Sequence, residues 1–249
     1  LACPRHPAGA TAGGRHRNPR CGRPPTPAAT YHAQMTQPAQ DHTEVEWQFS
    51  ALDVRPVLRW LESATLPGYT IRAAGTKTLD DTYYDTAGWR LHRAGYTARI
   101  RAKANGDEVT IKSMADAKDG VRSRREITEL LERDGEGGPA ATPGQCGAFL
   151  RLIAGRHALE SLFTLNQVRR AFDLRDAAGP LGEIAVDETA IPLGGEDAPV
   201  TFVLVEVEVE GPDALARATR FVDVLVTACG LQPAGTSKFE AALVALGLR

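Results

Sequence analysis

The chain has 249 residues, of which 43% are hydrophobic and 24% are charged, and its formal net charge is −2. These values are typical of a globular protein of one or two domains. They exclude a chain of membrane-spanning segments, since no apolar run is long enough to cross a bilayer, and the charge gives no general affinity for nucleic acid.

The first 34 residues differ in composition from the rest of the chain. They contain five arginines and no acidic residue, and they are rich in proline, glycine and alanine. Because such a segment cannot bury enough apolar surface to offset its chain entropy, we expect residues 1–40 to be a disordered N-terminal segment. We interpret Met35 as the native start, and residues 1–34 as upstream sequence or a fragment of something longer. The remainder has 24 basic and 31 acidic residues.

The first predicted elements are a strand and an amphipathic helix. Residues 43–50 alternate polar and apolar side chains, which predicts a strand with two glutamates and a glutamine on one face. Residues 53–64 carry an apolar stripe at helical spacing, which predicts a helix capped by Asp53. The next segment is predicted as a strand, a turn at Gly88 and a short strand that reaches Leu91.

The middle of the chain contains the clearest hairpin. Alternating strands over 96–103 and 108–114 flank an Asn-Gly turn, and a further strand begins near Val121. A loop rich in glycine and proline covers 134–146, and a helix is predicted over 147–159.

Strands return in the last third of the chain. They are predicted over 162–174, 181–191 and 200–211, and they are followed by a long amphipathic helix over 212–229 and a last helix within 236–249. The total is about eight strands without a repeated βαβ rhythm. The sequence therefore predicts an α+β fold, in which one curved sheet or closed barrel is flanked by helices.

Charged side chains that share a face of their strand are segregated by sign. The first and last strands carry the acids Glu44, Glu46, Glu206, Glu208 and Glu210, and the strands between them carry Arg99, Arg101, Lys103, Lys112, Arg122, Arg124 and Arg169, with Glu126 beside them. For any single strand, a face exposed to water is the simpler interpretation. Solvent faces usually mix both signs, however, so we favour a polyanion held by the bases and bridged to the acids by divalent cations. If the sheet closes, this face becomes a polar lumen.

Short motifs run along these strands in a fixed order. They are Glu44-x-Glu46-x-Gln48, Tyr83-Tyr84-Asp85-Thr86, Ala98-Arg99-Ile100-Arg101, Thr110-Ile111-Lys112, Arg124-Arg125-Glu126, a basic strand with Arg169, then Asp187, Glu206-Val207-Glu208 and Ser237-Lys238. Each motif is weak alone, but their order from about residue 43 to 245 resembles that of the CYTH superfamily, the triphosphate tunnel metalloenzymes.

The resemblance implies that residues 41–249 form an eight-stranded antiparallel β-barrel, a tunnel that binds a triphosphate together with Mg²⁺ or Mn²⁺. The metal ligands would be Glu44, Glu46, Glu206 and Glu208, supported by Glu126 and Asp187. The phosphate ligands would be Arg99, Arg101, Lys112, Arg124, Arg169 and Lys238. The catalytic residues would be Glu46, Gln48, Arg101 and Lys112.

Three functions are compatible with this resemblance. We expect a metal-dependent triphosphatase acting on inorganic tripolyphosphate or on a nucleoside or thiamine triphosphate. The alternatives are an adenylate cyclase and a non-catalytic binder of polyphosphate or nucleotide. Gln48 supports the binder, because it stands where the family has lysine and glutamine can neither carry charge nor act as a base. Ala98 and Thr128 also depart from the family, which has Leu and Glu there.

The expected partner is a small-molecule triphosphate, with no nucleic acid and no membrane. The four cysteines, Cys3, Cys21, Cys146 and Cys229, have no spacing that suggests a zinc site or a disulfide framework. A reducing, cytoplasmic location is therefore expected.

Overall fold

The computed structural model describes residues 39–104, 106–118, 120–131, 138–195 and 197–248. Nearly all of the segment predicted to be disordered, as well as Asn105 of the predicted turn, lies outside the described residues.

Nine strands and five α-helices are present in the described part of the chain. The strands are β1 (Gln40–Ala51), β2 (Tyr69–Asp85), β3 (Tyr96–Arg101), β4 (Glu108–Ser113), β5 (Val121–Leu130), β6 (Glu160–Asp176), β7 (Gly179–Ile191), β8 (Val200–Val209) and β9 (Gln232–Pro233). The helices are α1 (Val54–Ser63), α2 (Arg90–Arg93), α3 (Gln145–Ala154), α4 (Pro212–Cys229) and α5 (Lys238–Ala245). None of these helices is both long and apolar enough to span a membrane.

Eight of the strands form a closed antiparallel ring. Their order is β5-β4-β3-β2-β6-β7-β8-β1, and β1 pairs with β5 to complete the circle, while the short β9 adds to β1. At the closing pair, Glu44 lies opposite Arg124. The α+β fold with a ring of eight antiparallel strands, which the resemblance implied, is confirmed.

The alternation in β1 separates an apolar outside from a polar inside. Trp47 and Phe49 are buried in a core that includes side chains of α1 and α4. The intervening Glu44, Glu46 and Gln48 are only 6%, 2% and 4% exposed, although they lie on the opposite face. Because both faces of the strand are buried, its polar residues lie inside the protein rather than in bulk water.

Helices α1 and α4 cover the outside of the ring. Asp53 caps α1 as predicted, since its carboxylate accepts a hydrogen bond of 2.9 Å from the backbone N–H of Arg55. Phe221 of α4 is completely buried in the same core. Gly230 ends α4 with φ of 64°, a left-handed conformation that glycine adopts without steric cost.

Helix α5 places one basic residue beside the ring. Its start is fixed by a capping box, in which the Ser237 hydroxyl accepts from the Glu240 N–H and the Glu240 carboxylate accepts from the Ser237 N–H. Phe239 packs in a second core with Tyr83 and Phe163. This packing fixes the position of Lys238, the first residue of the helix.

The predicted short strand reaching Leu91 is wrong, because Arg90–Arg93 form helix α2. The carboxylate of Asp85 accepts hydrogen bonds of 2.9 Å from the backbone N–H groups of Leu91 and His92. These bonds satisfy N–H groups at the helix start, and Leu91 is completely buried. Strand β2 also begins at Tyr69, well before the segment in which a strand was predicted.

Candidate active site

The inward side chains of the ring line a cavity of about 390 Å³. Eleven of the predicted site residues line it: Glu44, Gln48, Arg99, Arg101, Lys112, Arg124, Glu126, Arg169, Glu206, Glu208 and Lys238. Glu46 and Asp187 are almost fully buried and contact Arg124 and Arg169 of that lining. The ring therefore brings all of the predicted residues together around one space.

The first ionic cluster joins β1, β4 and β5. The Lys112 ammonium contacts Glu44 Oε1 at 2.8 Å and Glu126 Oε2 at 2.7 Å, while Arg124 bridges Glu44 and Glu46. Burial opposes the charge on Lys112, yet Glu44 and Glu126 together hold its pKa above the ordinary value. Burial likewise opposes ionisation of Glu126, but Lys112 and Arg99 lower its pKa to about 2. Both side chains are therefore charged at neutral pH.

The second cluster joins β6, β7, β8 and α5. Arg169 Nη2 lies 2.7 Å from Glu206 Oε2, and Arg169 Nε donates to Asp187 Oδ1 at 2.8 Å. Lys238 contacts the same two carboxylates, with Nζ 2.9 Å from Glu206 Oε1. Burial disfavours the charge on Glu206, but Lys238 and Arg169 hold its pKa well below the usual range. This cluster thus joins two acids and two bases in one network of ion pairs.

The third cluster is centred on Asp81, which the sequence analysis missed. Asp81 is 2% exposed and accepts hydrogen bonds from Arg99 Nη1 at 2.7 Å and Arg101 Nε at 2.6 Å. Gln167 Nε2 donates a further bond of 2.8 Å. Burial opposes the charge, but the two arginines hold the Asp81 pKa below its ordinary value. Its sequence signal was its parity on β2, since it lies two residues before Tyr83, which also lines the cavity.

One other base on the inward face is committed to the backbone. Arg122 was among the segregated bases, and it is 6% exposed. Its Nη1 donates to the carbonyl oxygen of Ala115 at 2.9 Å. Arg122 thereby ties the segment after β4 to β5.

Two carboxylates lie in surroundings that disfavour their charged form. Burial, and then proximity to Glu206, raises the pKa of Glu46 to about 8. Burial, and then proximity to Glu44, also raises the pKa of Glu208. Glu46 and Glu208 are direct cross-strand partners, so these two acids lie side by side on β1 and β8.

The donor chemistry of these acids fits a hard divalent cation. Among the described residues, no three acidic, histidine or cysteine side chains are arranged as a complete metal site. Glu46 and Glu208 nevertheless supply adjacent oxygen donors, buried in Glu46 and half-buried in Glu208, whose raised pKa values would fall if a cation lay beside them. Mg²⁺ commonly takes only one or two carboxylates and completes its shell with water and phosphate oxygens. A partial protein shell is therefore compatible with this metal.

The fold and the site together define the class of protein: a ring of antiparallel strands that encloses a lumen lined by acids and bases. The model of the CYTH domain family matches residues 52–229, and the chain belongs to this family.

Solved structures share the fold at low sequence identity. An adenylyl cyclase candidate from Hippeastrum, described as having a dominant triphosphatase activity, is 20% identical, with a TM-score of 0.55 over 81% of this chain and 96% of its own. An adenylate cyclase candidate from Bacillus halodurans is 18% identical, with a TM-score of 0.57 over 81% of this chain and 97% of its own. A search of curated protein sequences gave no match.

Proposed function

We propose that this protein is a metal-dependent triphosphatase that cleaves a phosphoanhydride bond of inorganic tripolyphosphate or of a nucleoside or thiamine triphosphate. The observation that carries the proposal is the convergence of six basic residues on one cavity whose lining also includes Glu208, a carboxylate without an ion pair among the described residues. The six are Arg99, Arg101, Lys112, Arg124, Arg169 and Lys238. Family membership and the triphosphatase activity described for the Hippeastrum protein support it.

The bases would bind the phosphate oxygens by charge-assisted hydrogen bonds. Their geometry is fixed before any substrate enters, because Asp81 orients Arg99 and Arg101 while Asp187 orients Arg169. Donors that are already oriented need no reorganisation as charge develops on the phosphate oxygens. The wall of the cavity would thus bind an extended polyanion and stabilise the transition state.

The reaction would be attack of water on a phosphorus atom with departure of the adjacent phosphate. A new P–O bond forms to water, the bridging P–O bond breaks, the leaving phosphate takes the electron pair, and the proton lost by the attacking water passes to a phosphate oxygen. Arg101 and Lys112 would offset the charge that builds up on the transferred and leaving groups. Gln48 could orient the water by a hydrogen bond but cannot remove its proton.

The acids Glu44, Glu46, Glu206 and Glu208 would hold Mg²⁺ or Mn²⁺, with Glu126 and Asp187 in supporting contacts. When bound, such an ion supplies positive charge to the phosphate oxygens and increases the acidity of water. Of these acids, Glu46 and Glu208 have the weakest compensation from neighbouring bases.

Phosphate release from tripolyphosphate, ATP, GTP and thiamine triphosphate, with Mg²⁺ or Mn²⁺ present, tests the proposal. We expect release from at least one substrate, and a loss of about 100-fold or more in kcat for Arg101→Ala, the magnitude typical of removing one transition-state donor. The matched control is Arg125→Ala, since Arg125 is an exposed arginine outside the cavity that pairs with Asp41. Formation of cyclic AMP would instead identify a cyclase, and tripolyphosphate binding without phosphate release would identify a binder.

A further inference from the structure

The amide of Gln48 has one satisfied end and one unsatisfied end. Its Nε2 donates a hydrogen bond of 2.8 Å to Glu206 Oε1, while its Oε1 is buried and has no partner among the described residues. The orientation is dictated by chemistry, because an ionised carboxylate can only accept and the nitrogen must therefore face Glu206. Leaving a buried acceptor without a hydrogen bond costs about 1–3 kcal/mol. A partner for this oxygen would therefore stabilise the protein, and none of the described residues provides one.

The neighbours of Gln48 identify the kind of partner that is missing. Glu46 precedes it by two residues on the same face, and Glu206 and Glu208 lie opposite on β8. Glu206 accepts from Gln48 Nε2 and Glu46 accepts from Arg124 Nη2, so these two acids act as acceptors in the structure and neither donates to the amide oxygen. Of the bases that contact these acids, Arg124 donates its Nη2 to Glu46 and Lys238 contacts Glu206. Arg124 Nε is a buried donor without a partner among the described residues, but neither base donates to Gln48 Oε1. An orphaned oxygen among carboxylates is the environment of a cation.

A second glutamine shows that an unpaired buried oxygen does not by itself indicate a cation site, because the charges around it also matter. Gln167 is equally buried, donates its Nε2 to Asp81 and also has an Oε1 without a partner. Asp81, however, is offset by Arg99 and Arg101. Beside Gln48, by contrast, Glu46 is paired with Arg124 alone, which Glu44 shares, and Glu208 makes no ion pair among the described residues.

We propose that Gln48 Oε1 is a neutral oxygen ligand of a hard divalent cation, with Glu46 and Glu208 as its carboxylate ligands. Directly opposed side chains on neighbouring strands lie about 5 Å apart at Cβ, and diagonal neighbours remain within reach of long side chains. Amide and carboxylate oxygens together form the donor set that Mg²⁺ and Mn²⁺ prefer. This inference rests on the proposed function and assigns position 48 to the metal rather than to the phosphate.

A ligand role for Gln48 gives a physical reason why this chain has glutamine where the family has lysine. A lysine ammonium would repel a cation and attract phosphate, whereas the glutamine oxygen attracts the cation. The two roles predict opposite responses to Gln48→Lys. A role in phosphate binding predicts tighter tripolyphosphate binding, and the cation site predicts weaker metal binding.

The test is Mn²⁺ binding to the full chain without substrate, followed by the electron paramagnetic resonance signal of free Mn²⁺. Gln48→Leu removes the oxygen at similar volume and should weaken Mn²⁺ binding about tenfold, the lower end of the range for support of a metal site. Gln48→Lys should weaken it further, and Gln48→Glu should bind at least as tightly as the wild type. Gln167→Leu is the matched control and should leave Mn²⁺ affinity unchanged.

Each outcome decides the inference. Wild-type affinity in Gln48→Leu, unchanged or tighter binding in Gln48→Lys, or no Mn²⁺ binding by the wild type would overturn it. If Gln48→Leu does not fold, the order of Gln48→Glu above Gln48→Lys decides instead. Mn²⁺ binding that ignores position 48, in an enzyme that still hydrolyses tripolyphosphate, would overturn the ligand role and leave the proposed function standing. Binding that depends on Gln48 without any hydrolysis would do the reverse.

Discussion

Asp81 determines how the two arginines of β3 are presented to the cavity. It contacts both Arg99 and Arg101 and is almost fully buried, so it acts as a positioning residue for the phosphate-binding wall. Two half-buried guanidinium groups around one carboxylate carry a net positive charge. A bound polyanion would complete the neutralisation that Asp81 begins.

Asp81→Asn preserves the shape of this side chain and removes its charge. We expect a loss of about 3–5 kcal/mol in the free energy of unfolding, as for other buried ion pairs from which one partner is removed. Tripolyphosphate should partly replace the missing charge, so the rise in Tm that it causes should be larger in the variant than in the wild type. Thermal unfolding with and without tripolyphosphate measures both effects.

Asp41→Asn provides the control, because Asp41 pairs with Arg125 at an exposed position outside the cavity. Its Tm should change little, since surface ion pairs contribute little to stability. If the ligand-induced rise in Tm were the same for Asp81→Asn and the wild type, Asp81 would have no part in the charge balance of the cavity.

Glu46 gives the folded protein a specific dependence on pH. Burial and the neighbouring Glu206 raise its pKa from 4.5 to about 8, so the folded state holds this proton more tightly than the unfolded chain. The resulting stability is fully present below pH 4.5 and is lost as the pH rises towards about 8. In the absence of divalent cations, we therefore expect the free energy of unfolding to fall across this interval.

Denaturant unfolding at a series of pH values measures the slope, and Glu46→Gln is the informative variant because it cannot ionise. The fall between pH 4.5 and about 8 should be reduced in Glu46→Gln. Glu126, whose pKa is lowered to about 2, changes stability only below pH 4.5 and does not interfere. A variant that retained the full slope would show that Glu46 is ionised in the folded protein throughout this range.

Most residues of the site were predictable from the alternation of each strand, and Asp187 and Lys238 only from the family resemblance, but their pairing was not predictable. Lys112 contacts Glu44 across 68 positions of sequence, and that contact depends on the register in which β1 meets β5. Asp81 was missed because it lies outside the motif Tyr83-Tyr84-Asp85-Thr86, although it shares the inward face of β2 with Tyr83. The charge of a side chain follows from the residue type alone, whereas its ion-pair partner depends on how the ring closes.

At the scale of elements, the spacing of apolar residues predicted a helix or strand correctly where one face of that element is apolar. The helix over 212–229 was predicted with both of its ends, because it has a strong apolar stripe and a glycine immediately after it. The signal failed at α2, which is only four residues long and is stabilised by Asp85 rather than by periodicity. It also failed for the first half of β2, where most side chains are exposed and no alternation of burial marks the strand.

Helix α5 connects local capping to the site, because its first residue is Lys238. Ser237→Ala removes the hydroxyl that accepts from the Glu240 N–H, and the loss of such a cap costs about 1 kcal/mol. We expect a matching fall in the free energy of unfolding and a higher KM for the triphosphate, since fraying would displace the ammonium.

Ser63→Ala is the comparison for Ser237→Ala, because the Ser63 hydroxyl donates to the carbonyl of Arg59 at an exposed position of α1 that does not line the cavity. Denaturant unfolding and steady-state kinetics on both variants separate the two effects. A normal KM in Ser237→Ala together with the lost stability would show that Lys238 keeps its position without the cap.

At the scale of the whole molecule, the cavity exists only because distant parts of the chain meet. Strand β1 lies near the beginning of the described residues and is hydrogen-bonded along one edge to β5 and along the other to β8. Glu46 and Glu208 become neighbours in this way. Closure leaves β1 without a free edge over residues 45–47. It also turns a polar face that would otherwise be solvated into an enclosed lumen.

Hydrogen exchange should reveal this closure, because pairing on both edges protects amides that pairing on one edge leaves open. Residues 45–47 of β1 are flanked by partners on both sides, whereas residues 70–78 of β2 pair only with β6 among the described residues. We expect the amides of 45–47 to exchange with the free energy of global unfolding and alternate amides of 70–78 to exchange much faster. Native-state exchange followed by NMR resolves the two segments. Rapid exchange along 45–47 would mean that the ring opens between β1 and its neighbours, and the buried charges of the lumen would then be in contact with water for part of the time.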